Sequence, residues 1–308
     1  SDGEVDLLMA VFDETEYVSH LWIISWDGST GRIINDVNAQ TGQSAITSGD
    51  ISYDFFDYEG DGIMEIWGYW DKKSAFFPDT MMSTRPFVTY SWNGSLYGMW
   101  PTTRQISGRT FLAANRLSVM PRCRVTQPGL LYEYQYTWTN KSSSKQKIRT
   151  IYIADVNPDA IIIAPEMWRT DKTKAITAIQ WHLFDFQKLR MIKPSESRGG
   201  FELRDTGLPS IVRYYVQGYA PTAIPDIDEP QFTQEEFRND IVTNSAQGYT
   251  IGPKATPSPF VPTDFLDTLL AYTIQSRSLG WITTQAVADK YLGYFTSAKT
   301  KLQQRDTA

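Results

Sequence analysis

From Tyr132 to Trp138 apolar and polar residues alternate: Tyr132, Tyr134, Tyr136 and Trp138 hold one parity, Glu133, Gln135 and Thr137 the other. Successive side chains of a strand point to opposite faces, so this period of two predicts a half-buried strand. The basic stretch NKSSSKQK follows and leads into a second apolar run, IRTIYIADV. Further runs bounded by turn residues lie around Ala178 to Phe184, Gly200 to Leu203 and Ile211 to Gly218. Strands at this spacing, with no helical period among them, predict an antiparallel β-sandwich over residues 116–220. Within it, the cations Lys141, Lys145, Lys147 and Arg149 read as a solvated hairpin end rather than an anion site.

Beyond the sandwich the pattern changes twice. Between Ala220 and Thr263 lie seven of the sixteen prolines, which predicts an extended connection over 221–262. One short helix interrupts it, because Thr233 and Glu236 have the spacing of a capping box and Phe237 and Ile241 share a helical face. From 263 to 308 the period is helical. Phe265, Leu266, Leu269, Leu270 and Ile274 form one apolar face, Gly280 breaks the chain, and Val287, Tyr291, Leu292, Phe295 and Leu302 form another. A hairpin of about 45 residues is too small to bury a sufficient core alone, so it is expected to dock on the rest of the protein or on a partner.

Residues 1–115 carry an internal repeat. DGEVDLL (Asp2 to Leu8) aligns with DGIMEIW (Asp61 to Trp67) at an offset of 59, and IISWDGS (Ile23 to Ser29) aligns within VTYSWNGS (Val88 to Ser95), Tyr90 taking the place of an isoleucine, at an offset of 66. Each copy runs from an acidic loop into an apolar strand, then through a variable connection to a Trp-bearing strand and an Asp-Gly or Asn-Gly turn of the kind that closes hairpins. The first copy lacks the leading half of its acidic loop, since Ser1 stands where Asp57 to Gly60 stand in the second. The expectation is a chain cut inside a repeat.

The complete loop reads FDYEGDGIMEIW from Phe56 to Trp67. Asp57, Glu59, Asp61 and Glu65 fall at loop positions one, three, five and nine, Gly62 at the sharp-turn position six, and the carbonyl of Ile63 at position seven. Hard, oxygen-only ligands at these positions are what a Ca2+ loop uses. Glu at position three is less usual than Asp, because its extra methylene must fold away to reach a ligand distance of about 2.3–2.6 Å. The competing reading is an acidic, solvated hairpin turn. Calcium here is expected to be structural.

Composition narrows the remaining chemistry. The 308 residues carry 29 basic and 35 acidic groups, a formal net charge of -6, and nothing resembling a nucleic-acid footprint or a polybasic membrane patch. No apolar run approaches the roughly 20 residues of a membrane span. The opening SDGEVDLL has neither a basic n-region nor an apolar h-region, which fits a cytosolic protein or a mature exported one. Cys123 is the sole cysteine, so no intrachain disulfide forms. Histidine is limited to His20 and His182, and no HExxH, GxSxG, P-loop or CxxC spacing occurs. A serine or cysteine nucleophile would depend on one of those two histidines, and zinc would lack its usual ligands. His182 reads as a structural histidine opposite Trp181 on a strand. Trp67, Tyr69, Trp70, Trp92, Tyr97 and Trp100 would suit a sugar-stacking platform or, alternatively, cross-strand packing.

DYEGDGIMEI, preceded by an aromatic residue and followed by an apolar strand, resembles the calcium loop of FG-GAP repeats, also called VCBS or integrin-α-type β-propeller repeats; DGEVDLL resembles the tail of another. The resemblance implies partial propeller blades and gives Asp57, Glu59, Asp61, Glu65 and the Ile63 carbonyl the ligand roles. The segment from YEYQYTWTNKSSSKQKI to IKPSESRGGF and LPS is similar to β-sandwich modules of bacterial secreted proteins. The tail, through Gly280 to Ile282 and Ala298 to Leu302, is similar to two-helix FIMAH-type modules. Families of this kind imply a mainly β, non-enzymatic bacterial protein of the cell surface or extracellular space. Its partner would be a protein or glycan surface, another copy, or an upstream fragment of its own precursor. The alternatives are a carbohydrate-binding or accessory region of a larger secreted hydrolase, and a subunit of an extracellular filament or complex.

Overall fold

The computed structural model describes residues 5–13, 18–26, 29–34, 46–49, 51–56, 65–70, 88–92, 97–99, 103–106, 109–157, 159–173, 176–183, 190–219 and 233–305. The chain is mainly β, with antiparallel sheets and helices toward the C-terminus.

The first ten strands are β1 (Val5–Asp13), β2 (Val18–Trp26), β3 (Gly31–Ile33), β4 (Ile46–Gly49), β5 (Ile51–Phe56), β6 (Glu65–Trp70), β7 (Val88–Trp92), β8 (Tyr97–Met99), β9 (Thr103–Ile106) and β10 (Arg109–Leu112). β1, β2 and β3 form an antiparallel meander with β4 also paired to β2, while β5, β6, β7 and β8 form a second meander in sequence order. β9 and β10 form a separate hairpin. Neither four-stranded sheet closes into a ring among the described residues.

The two meanders share one register. Leu7 faces Ile24 in the first and Ile66 faces Tyr90 in the second, positions made equivalent by the two sequence offsets. The next pairing repeats as well: Trp26 faces Gly31 and Trp92 faces Tyr97. Leu21, Ile23 and Ile66 are buried. A slip of one residue would send each strand's apolar set to the opposite face, so a conserved register across two copies marks the same three-strand unit built twice.

The next strands are β11 (Val119–Thr126), β12 (Tyr132–Asn140), β13 (Ile148–Ala154), β14 (Ile161–Ile163), β15 (Arg169–Thr173), β16 (Ala178–His182), β17 (Ser197–Asp205) and β18 (Leu208–Gly218), followed by helix α1 (Gln234–Thr243) and β19 (Ala246–Lys254). One sheet has the order β11-β12-β17-β14 and the other β15-β16-β13-β18-β19. They pack face to face over an aromatic core. Tyr134, Tyr136 and Trp138, the apolar parity of β12, are buried, as are Trp181, Phe201, Ile151 and Ile153. Rings meet across the layers: Tyr136 and Trp181 at 5.8 Å, Trp138 and Tyr214 at 5.3 Å edge-on, Trp181 and Phe201 at 5.7 Å edge-on. Such offset contacts match ring edges to ring faces and add to burial.

Polar ends of the same rings tie the layers together. Tyr136 Oη donates to the Ile251 carbonyl at 2.8 Å, Trp181 Nε1 to the Ile163 carbonyl at 2.9 Å, and Tyr134 Oη to the Gly207 carbonyl at 2.6 Å. Each partner is a backbone oxygen of another strand or turn. The ring therefore fills the core while its polar tip satisfies a carbonyl that would otherwise be left without water.

Two sequence expectations are corrected here. Residues 141–147 do not close a hairpin, because β12 and β13 belong to different sheets and this connection crosses between them; Lys141 and Lys145 are exposed as expected, but the later part is not solvated. Crossing over a core edge buries polar groups, and Ser144, Gln146 and Lys147 are buried. Gln146 accepts from the Arg116 amide at 2.9 Å and donates to the carbonyls of Ala113 (2.5 Å) and Tyr219 (3.2 Å). Asn140 Nδ2 donates to the Gln146 and Ile192 carbonyls, each at 2.9 Å. One amide thus joins the entry of the sandwich to the end of β18.

The second correction concerns 221–262, read as a connection with one helix. Ala246–Lys254 is a strand that pairs with β18 along nine positions and supplies the Ile251 carbonyl bound by Tyr136. Its glycines hid it from the pattern. A Cβ at Gly248 would lie 2.6 Å from the Tyr214 hydroxyl, and one at Gly252 would lie 2.7 Å from Val212 Cγ2. Neighbouring side chains occupy that space, so glycine is required where a β-branched residue would have announced a strand.

Helix α1 confirms its capping box: Thr233 Oγ1 accepts from the Glu236 amide and Glu236 accepts from the Thr233 amide at 2.8 Å. Ile241 is buried and Phe237 packs beside it against Tyr152 and Tyr215 on the outer face of the second sheet. The hairpin follows as α2 (Pro262–Ser278) and α3 (Gln285–Arg305), with Gly280 at φ +75° between them, a conformation glycine adopts at little cost.

Replacing Trp181 with alanine is expected to cost about 3–5 kcal/mol. Gln146→Ala should cost about 2–3 kcal/mol through the groups it leaves unpaired. Urea unfolding checks both, with a lowered midpoint at unchanged slope.

Candidate functional site

Of the proposed calcium ligands, Asp57, Glu59, Asp61 and Ile63 lie outside the described residues, and Glu65 is the first residue of β6. The frame around them is described. β5 ends at Phe56, and Phe56 faces Glu65 across the antiparallel pair. The acidic segment is therefore the closed connection of a hairpin, its two ends held one strand spacing apart, about 5 Å. Among the described residues no group of three or more His, Cys, Asp or Glu side chains could hold a metal ion.

The proposed aromatic platform is distributed over several strands. Trp67, Tyr69 and Trp70 belong to β6, Trp92 to β7 and Tyr97 to β8, while Trp100 lies outside the described residues.

Two side chains of the sandwich with intrinsic chemistry, Cys123 and His182, are shifted by their surroundings. Cys123, on the edge strand β11, has its thiol pushed up to about 12 by burial, with the Tyr136 hydrogen bond acting in the opposite direction. It is a thiol at neutral pH, whereas nucleophilic cysteines are thiolates. Burial likewise raises Tyr134 and Tyr136 above the usual phenol range. His182 stands at the end of β16, level with Arg169 on β15 and Thr150 on β13. Burial lowers its pKa; Asp171 opposes this, while Arg149 and Arg169 add to it. The ring is thus kept neutral by desolvation and flanking guanidinium groups.

The helical hairpin carries an apolar opening. Its seam is narrow: only Thr273 of α2 and Ala288 of α3 are buried, and Asp267 clasps Lys299 at 2.6 Å. Leu292, Phe295 and Leu302 are half-buried, but Ile274 (61% exposed), Tyr291 (47%) and Val287 (44%) are not on a buried face as the sequence pattern suggested. The seam of α3 is shifted by one position, to the line of Ala288, so its neighbours Val287 and Tyr291 turn outward. Where α2 begins and α3 ends, Phe260, Phe265, Leu266, Ala298, Lys301 and Leu302 line a groove of about 800 Å³. Phe260 packs on Phe265 at 5.5 Å. Behind them a cavity of about 260 Å³ separates α2 from Pro209 and Lys254 of the sandwich. The sequence showed that the hairpin lacks a core of its own, but not which face stays open.

No protein-family model matches this sequence, and no curated protein sequence matches it. None of the helices in the described residues is long and apolar enough to cross a membrane.

Because the folded pKa of His182 lies below the ordinary value of about 6.5, the unfolded chain binds more protons there and folding stability falls as pH drops through that window. The slope from one proton is at most about 1.4 kcal/mol per pH unit. Unfolding midpoints measured from pH 7 to 5 should decline less steeply in His182→Gln than in the unaltered chain.

Proposed function

We propose that this chain is a non-enzymatic, calcium-stabilised scaffold of the bacterial cell surface or extracellular space, presenting a β-rich surface for adhesion or assembly. In this reading the first hundred residues are FG-GAP-like repeats. Asp57, Glu59, Asp61, Glu65 and the Ile63 carbonyl hold a structural Ca2+, and the C-terminal hairpin is a FIMAH-like module.

The observation that carries the reading is the register shared by the two N-terminal meanders. A repeated strand unit entered through the same acidic loop is what calcium-clipped blades require, and β5 to β8 have the four-stranded sequential order of one blade. The loop spans paired strand ends, so a cation bound there would fix the geometry of β6 against β5 rather than approach a substrate. The Cys123 thiol, kept protonated by burial, fits a structural role. The aromatic core and its hydroxyl ties fit a rigid spacer that holds the repeats and the hairpin apart.

Calcium at ten times its dissociation constant should add about 1.4 kcal/mol to the stability of the repeat region. Differential scanning calorimetry should therefore show a transition that rises with Ca2+ and returns with a chelator, and Asp57→Asn combined with Asp61→Asn should abolish the response. Identical melting in calcium and chelator would remove the metal from this account.

A further inference from the structure

We infer that the open face of α3, together with the Phe260 groove, is a docking site for an acidic amphipathic helix of a partner protein. This goes beyond the calcium reading and does not depend on it.

Helix α3 carries two apolar lines. Ala288, Leu292, Phe295 and Leu302 are the line half or fully buried in the hairpin. Val287, Tyr291, Tyr294 and Ala298 form a second, at successive spacings of four, three and four residues, which is the repeat of a helix-packing seam. Val287, Tyr291 and Tyr294 are exposed, Tyr294 at 58%, and Ala298 is half-buried. They are also ordered for contact: Tyr291 stacks on Phe295 at 6.3 Å, and Lys290 Nζ lies 5.8 Å from the Tyr294 ring centre. At its C-terminal end this line runs into the groove, since Ala298 lines it together with Phe260 and Phe265. At that end α3 forms one side of the groove, and Phe260 with Phe265 and Leu266 of α2 forms the other, so a helix laid along the open line would end in it.

Charge selects the occupant. On α3 the ionised side chains beside the open line are Lys290 and Lys301, both exposed; across the groove, the exposed Asp264 of α2 faces the cavity behind Phe260 and Phe265. Lys299 is already engaged by Asp267, and Asp289 lies two residues from Val287 and from Tyr291, on the other side of the helix. A partner bearing an apolar stripe flanked by Glu or Asp would neutralise both lysines on docking. A second copy packed through this face would set Lys290 and Lys301 of α3 against the same lysines, and an anionic lipid surface would meet a groove at one end of the face on a chain of net charge -6. The acidic helix is the occupant that satisfies shape and charge together.

The test uses the full chain and two fluorescent 18-residue helical peptides with identical leucine stripes, one flanked by Glu and one by Lys. Anisotropy titration should show the Glu peptide binding at least tenfold more tightly. Lys290→Glu with Lys301→Glu should reverse that preference, and Tyr291→Ser with Tyr294→Ser should abolish binding. Ile274→Ser should change nothing, because Ile274 lies nine residues, about two and a half turns, from Phe265 and on the opposite side of α2. No binding, equal binding of both peptides, or a preference that survives the lysine reversal would overturn the proposal. So would sedimentation as a dimer lost on Tyr291→Ser, which would assign the face to a second copy. Binding to phosphatidylcholine/phosphatidylserine vesicles lost in the same variant would assign it to lipid and overturn it equally.

Discussion

Closure of the two sandwich sheets over Trp138, Trp181, Tyr136 and Phe201 is the constraint on which the rest of the described architecture depends. The four rings come from β12, β16 and β17, strands of both layers, so neither sheet has a dry face without the other. The ring polar atoms add direction to this burial. Tyr136 and Trp181 each reach a backbone carbonyl of the opposite sheet, which fixes how the layers are aligned as well as that they meet. A buried carbonyl with no donor costs free energy comparable to a lost hydrogen bond, so sliding one sheet along the other would leave carbonyls unsatisfied and expose ring edges.

The elements attached to this body follow from it. Gln146 binds the segment that enters from the repeats and the end of β18 with one side chain, so the route in and the route out are held at the same edge. α1 uses the outer face of the second sheet, where Tyr152, Ala154, Ala178 and Tyr215 would otherwise be open. β19 completes that sheet and delivers the chain to α2. The helical hairpin lies past this last strand and buries no large side chain completely. Its seam is made by half-buried side chains such as Leu292, Phe295 and Leu302, with Phe260 packed on Phe265 at one end, rather than by a fully buried core.

What the sequence could and could not reveal follows from these contacts. The strand at Tyr132 to Trp138 was legible because one parity is buried and the other is not, and α1 was legible because its capping groups are adjacent in sequence. β19 was not, since Gly248 and Gly252 answer to side chains on β18 that no local pattern records. The crossing at 141–147 looked like a polar turn because polar residues serve a turn in water and a buried connection equally well. In the candidate sites the acidic spacing from Asp57 to Glu65 was plain in the sequence. The open line on α3 was not, because two apolar lines one residue apart are equivalent until α2 selects one of them.

Along the chain, the sandwich with its own aromatic core follows the N-terminal sheets and precedes a hairpin that has no fully buried core. Amide hydrogen exchange along the whole chain tests this division most directly. The account predicts that β12, β13, β17, β18 and β19 exchange together in a single slow class, while α2 and α3 exchange through a separate and easier opening. Protection of the hairpin equal to that of β12, or release of β19 together with the helices, would contradict it.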